Sequence, residues 1–179
     1  MVDFQSFGKI ARYSKEVFVT EKIDGTNGQI FIQDGVMKVG SRNRWLSKDS
    51  DNHGFYSWAM ENKEELLKLG EGRHFGEWWG SGIQRRYNLD EKRFSLFNLK
   101  RWGENGENAP SCCSVVPLLW KGNFDDMNLR YIMNNLRLTG SQASKGFMNP
   151  EGVVIYHTAG NVFFKKTFDK DTGKWLNND

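Results

Sequence analysis

Residues 16–40 restrict the fold more than any other part of the chain. Val17, Val19 and Ile23 alternate with polar neighbours, and the runs 29–33 and 36–40 flank Asp34-Gly35. Alternation with period two places side chains on opposite faces of a strand, and Asp-Gly between two such runs supplies a tight hairpin turn. A chain with this pattern builds on an antiparallel sheet. Phe55, Trp58, Ala59 and Leu66 then keep helical spacing across 54–69, with Asp51 and Asn52 available as caps and Gly70 as a stop. Residues 73–79, 93–100 and 115–120 read as strands, and the polar stretch 102–111 as a loop. Leu129, Ile132, Met133 and Leu136 mark a second helix beginning near Asp125, and 152–156 and 162–168 read as strands. The class is therefore α+β. Pro110, Pro117 and Pro150 are scattered, and no repeat or linker divides the chain, so a single domain over 1–179 is expected.

Composition excludes several classes of function. A content of 38% hydrophobic and 14% aromatic residues supplies a core without disulfides, which rules out wholesale disorder. Cys112 and Cys113 adjoin, a spacing that suits neither a disulfide framework nor a zinc or redox site, so both read as reduced and structural. His53, His74 and His157 stand apart without ligand spacing, and no GxxxxGK[ST] phosphate loop occurs. Neither a membrane span nor a secretion signal is present, so a soluble intracellular protein without a membrane partner is expected. The net charge of +3 suits an anionic partner but falls short of a dedicated nucleic-acid binder.

Glu21-Lys22-Ile23-Asp24-Gly25-Thr26-Asn27 sets a lysine at a strand end, between two carboxylates and before a glycine turn. An amine attacks only after losing its proton, which burial or nearby cations favour. Glu21 and Asp24 oppose that loss, and a divalent metal or Arg42, Lys165 and Lys166 would have to offset them. Alone, the motif also fits an exposed lysine entering a hairpin. Arg85, Arg86 and Tyr87, after Gly82, suit a nucleic-acid backbone and equally a solvated loop.

Other segments resolve the ambiguity. Lys22-Ile23-Asp24-Gly25, Ser41-Arg42, Phe75-Gly76-Glu77-Trp78-Trp79-Gly80, Ser95-Leu96-Phe97-Asn98-Leu99, Glu151-Gly152-Val153-Val154-Ile155 and Phe164-Lys165-Lys166 follow one another with plausible gaps. In that order the sequence resembles the covalent nucleotidyltransferases, the superfamily of polynucleotide ligases and mRNA capping enzymes. The resemblance implies antiparallel sheets around a nucleotide cleft, the adenylation-domain fold of DNA and RNA ligases, unrelated to ATP-grasp. It implies Lys22 as the nucleophile that forms lysyl-AMP. Glu21, Asp24, Gly25 and Asn27 accompany it at the nucleotide, Arg42 contacts phosphate and Glu77 the ribose. Phe97 then stacks on the base or fills the core, Glu151 serves a metal, and Lys165 and Lys166 bind phosphate. ATP and Mg²⁺, with Mn²⁺ as a substitute, are the implied cofactors.

Asn27 stands where DNA ligases and capping enzymes usually carry arginine, so the chain looks like the phage-type double-strand RNA ligases, whereas Asp24 is shared with DNA ligases. The expected function is ATP-dependent sealing of 5′-phosphate/3′-hydroxyl nicks, RNA-containing duplex favoured. A DNA nick ligase, a GTP-dependent capping-type guanylyltransferase and a binding module without turnover are the alternatives. The family spaces two lysines by one residue where Lys165 and Lys166 adjoin, and neighbours on a strand face opposite ways, so Lys165 is the first choice. The chain leaves no room for the accessory C-terminal domain of many members. A bare, monomeric catalytic domain in the cytoplasm, a host's if the chain is viral, is the expectation.

Overall fold

The computed structural model describes residues 2–169. In chain order the elements are β1 (Glu16–Lys22), β2 (Thr26–Gln33), β3 (Val36–Ser41), α1 (Phe55–Glu61), α2 (Lys63–Leu67), β4 (Gly72–Gly80), β5 (Lys92–Leu96) and α3 (Leu99–Trp102). β6 (Ser114–Val115), β7 (Leu118–Asn123), a 3₁₀ turn (Phe124–Asp126), α4 (Leu129–Thr139), β8 (Gly152–His157) and β9 (Val162–Thr167) follow. The strands form a four-stranded sheet ordered β7-β1-β8-β9 and a five-stranded sheet ordered β3-β2-β4-β5-β6. The expected α+β class holds, with one amendment: β6 runs parallel to β5, so the second sheet is mixed.

Strand alternation sorts the apolar side chains into three cores. Ile30, Ile32, Val39, Trp78, Phe94 and Leu96 meet Phe55, Ala59 and Leu66 of α1 and α2 on one face of the five-stranded sheet. Val17, Val19, Val153 and Ile155 meet Ile132, Met133 and Leu136 of α4 on the outer face of the four-stranded sheet. Phe18, Ile23, Trp79, Tyr87, Leu99 and Phe147 pack between the sheets. The layers run helix, sheet, sheet, helix. Gly28 permits the close approach of α1, since a Cβ there would lie 2.6 Å from the Phe55 ring.

Four element boundaries differ from those read in the sequence, each for a local reason. The 54–69 helix breaks at Asn62, whose amide donates to the Trp58 carbonyl and leaves α1 and α2 as separate turns. Asp51 caps α1 by accepting from the Tyr56 and Ser57 N–H groups, whereas the Asn52 amide turns to the Thr26 hydroxyl. The 93–100 strand stops at Leu96, because the Asn98 side chain accepts from Arg101 N–H and starts α3. The 115–120 strand splits at Pro117, which has no N–H and whose carbonyl accepts from Glu21 N–H at 2.9 Å. The later helix begins at Leu129, capped by Asn128, and Asp125 lies in the 3₁₀ turn. Among the described residues, no helix is long and apolar enough to cross a membrane.

Candidate active site

Only Ile23, Asp24 and Gly25 separate β1 from β2, so the chain steps from one sheet to the other immediately after Lys22. Gly25 fits this step because a Cβ there would lie 2.4 Å from the Trp78 carbonyl oxygen. Lys22 Nζ lies 2.6 Å from Glu151 Oε2, and both side chains are largely shielded. Glu151 immediately precedes β8, the neighbour of β1, and Lys22 pairs in register with Gly152. A lysine ending one strand and a carboxylate entering the next thus meet at the seam between sheets.

Across the seam, Asn27 of β2 and Glu77 of β4 are cross-strand partners. Asn27 Nδ2 donates to Glu77 Oε2 at 2.9 Å, and Gly25 N–H donates to Glu77 Oε1 at 3.1 Å. Burial pushes the Glu77 carboxyl up to about 7, while the Lys22 charge and the two hydrogen bonds pull it down. The folded protein therefore holds a proton that the unfolded chain releases above pH 4.5, and stability falls as pH rises from 4.5 to about 7. Glu77→Gln removes this contribution, up to about 3 kcal/mol. Urea denaturation at pH 5 and pH 8 should show a shallower pH dependence for the variant than for the wild type.

The turn after Lys22 is held from below. Asp24 N–H donates to the Tyr87 hydroxyl at 2.7 Å, and Ser144 Oγ donates to the Tyr87 carbonyl. Arg85 Nε donates to Asp24 Oδ2 at 3.0 Å, its Nη1 donates to Asn149 Oδ1 at 3.0 Å, and its Nη2 pairs with Asp169. One guanidinium therefore ties together the Lys22 turn, the approach to Glu151 and the exit from β9. Arg85 is thus engaged with protein groups rather than standing in a solvated loop. Arg86 is exposed beside it. Sequence reading missed the roles of Asn149, Asp169 and the Tyr87 hydroxyl.

Strand geometry separates two of the candidate residues from Lys22. Glu21 faces away from Lys22 and is buried, accepting from the Gln142 and Ala143 N–H groups at 2.7 and 3.0 Å. Burial pushes its carboxyl up, and among the described residues its Oε1 has no hydrogen-bond partner. The β8–β9 register runs without a bulge, pairing Val154 with Lys165 and Val153 with Lys166. Val154 pairs with Thr20 and Val153 with Glu21, so Lys165 shares the Lys22 face and Lys166 the Glu21 face. Glu21 and Lys166 thus lie on the face of the four-stranded sheet opposite that of Lys22. Phe97 is exposed one residue beyond β5, where its N–H donates to the Phe75 carbonyl, and Arg42 is exposed one residue beyond β3. Among the described residues no cluster of three or more His, Cys, Asp or Glu side chains forms a cage for a metal ion.

Two layered sheets joined at a buried lysine–glutamate seam define an α+β domain with the fold of RNA ligase structures. Naegleria gruberi RNA ligase with PPi superposes with a TM-score of 0.65 at 23% identity, over 86% of this chain and 50% of that one. A mutant of that ligase with ATP and Mn gives 0.67 at 22% identity, and another with AMP and Mn gives 0.64 at 21%, each over 87% of this chain and 50% of that one. The chain thus spans about half the length of these solved structures. No curated protein matches it. The model of the RNA ligase family matches residues 15–176, and the chain belongs to that family.

Proposed function

We propose that the protein is an ATP-dependent RNA ligase built on the nucleotidyltransferase adenylation-domain fold. In this reading it seals 5′-phosphate/3′-hydroxyl nicks in RNA-containing duplex through a lysyl-AMP intermediate. The observation that carries it is the placement of Lys22 Nζ at the seam, 2.6 Å from Glu151 and across from Glu77 and Asn27. In the first step Nζ bonds to the α-phosphorus of ATP, the bond to pyrophosphate breaks, and the amine gives up a proton. The AMP then passes to the 5′-phosphate, and the 3′-hydroxyl displaces it to form the phosphodiester.

Each displacement is in line, so positioning and charge cancellation do most of the work. An ammonium paired with a carboxylate is not a nucleophile, and the Lys22–Glu151 pair is therefore the resting state, which parts before the bond forms. Glu77 and Asn27 present carboxyl and amide groups suited to ribose hydroxyls, and Phe97 presents an exposed ring suited to the base. Glu151 fits Mg²⁺ or Mn²⁺, because Mg²⁺ takes few protein carboxylates and fills its shell with water and phosphate oxygens. Such an ion, when bound, supplies positive charge at the phosphates.

Incubation with ATP and Mg²⁺ should add the mass of one AMP, and incubation with GTP should add nothing. Absence of the ATP adduct across pH and metal would overturn the proposal. A panel of nicks with RNA or DNA on either side of the break then reads the substrate, with RNA preferred. Lys165→Ala should slow AMP uptake by roughly 100-fold, as expected for loss of a phosphate-facing charge. Lys166→Ala, on the opposite face of β9, should slow it far less, and a quenched time course compares the two.

A further inference from the structure

We propose that the sheet face leading away from the seam binds two or three unpaired nucleotides of an RNA strand that leaves the duplex beside the nick. Bases would stack on Phe75 and Trp45, and phosphates would be held by Arg73 and Lys38. This rests on the ligase reading of the seam.

Strand register places these side chains. Asn27 and Glu77 share one face of the five-stranded sheet, and the next row along the strands is Phe75, Gln29 and Gly40. The row beyond is Arg73, Phe31 and Lys38. Successive rows are separated by two residues, about 7 Å. The opposite face of the same strands is buried under α1 and α2, but here Phe75 is 51% exposed and Trp45 46%. Large rings on the solvated face of a sheet are unusual, because such faces are ordinarily polar.

The rings are interleaved with cations. The Arg73 guanidinium lies 4.5 Å from the Phe31 ring centroid and 5.6 Å from that of Trp45, and Lys38 Nζ lies 5.9 Å from the Trp45 ring. Arg73 Nη1 donates to Gln29 Oε1 at 3.1 Å, and Gln29 Nε2 donates to the Ser41 carbonyl at 3.2 Å, so the guanidinium is held in place. Gly40 gives Trp45 its bed, because a Cβ there would lie 3.1 Å from the indole and 2.9 Å from Gln29. In these three rows Glu77 is the only acid, and it belongs to the seam. Exposed rings with fixed cations on a sheet face recognise unpaired bases and their phosphates, and the track is continuous with the site where the RNA end would react. A paired strand turns its bases inward and offers such rings nothing to stack on.

Fluorescence anisotropy with a short labelled oligoribonucleotide tests the proposal, beside a fully paired RNA duplex and the matching DNA strand. Trp45→Ala and Lys38→Ala together should weaken binding of the unpaired RNA by roughly tenfold, and that of the duplex far less. Trp45→Phe should retain most of the affinity. Unchanged RNA binding in the double variant, an equal loss on duplex, or tighter binding of DNA than RNA by the wild type would overturn the proposal. Thermal melts report whether the double variant folds. If it does not, the exposed substitution Arg73→Gln decides by the same readout. AMP uptake by the wild type, recorded separately, tests the ligase reading, so failure of the track and failure of the seam chemistry give different results.

Discussion

Lys22→Ala should abolish the gain of one AMP that the proposed reaction gives with ATP and Mg²⁺, and intact-mass spectrometry reads the result directly. The effect is total rather than partial because no other described amine occupies the seam. Lys165 shares the face but lies across β8 from Thr20, two residues short of the Lys22 register. Lys22→Arg separates nucleophile from charge: guanidinium keeps the cation and its pairing with Glu151 but stays protonated at any working pH, so it too should take up no AMP. A mass shift in either variant would place the nucleophile elsewhere.

Glu151→Gln should slow the proposed AMP uptake by roughly 100-fold or more, the usual scale for removing one charge-stabilising group from a phosphoryl-transfer site. The direction is informative. If Glu151 did nothing but hold Lys22 as an ammonium across 2.6 Å, an uncharged amide would release the amine and uptake would accelerate. A fall shows that the carboxylate is needed at the phosphates. Single-turnover rates at several Mg²⁺ concentrations distinguish the outcomes. Glutamine keeps the shape of the side chain, so melting temperatures of the variant should stay near those of the wild type.

The hairpin of β2 and β3 was legible because its determinant is local: Asp34 and Gly35 both take positive φ, 51° and 72°. The amphipathic face of α4 was legible for the same reason. Phe94, Leu96, Phe97 and Leu99 form a short apolar run that periodicity alone does not divide, and the Asn98 cap is the signal that separates strand from helix. Motif order singled out Lys22, Glu77 and Glu151, and the fold sets Lys22 beside Glu151 and Asn27 beside Glu77. The arginine clamp was not, because Arg85 finds Asp24, Asn149 and Asp169 at 61, 64 and 84 positions along the chain, and no local pattern encodes such distances. That Lys165 and Lys166 face opposite ways was legible from strand alternation, and the register of β9 puts Lys165 on the Lys22 face.

The link Ile23–Gly25 has a mechanical meaning for catalysis. From Lys22 to Thr26 the backbone can stretch to at most about 14 Å, so the two sheets behave as jaws fastened at the corner where the amine sits. In the proposed reaction the bond to lysine forms at this tethered corner, where the walls have the least freedom to drift apart.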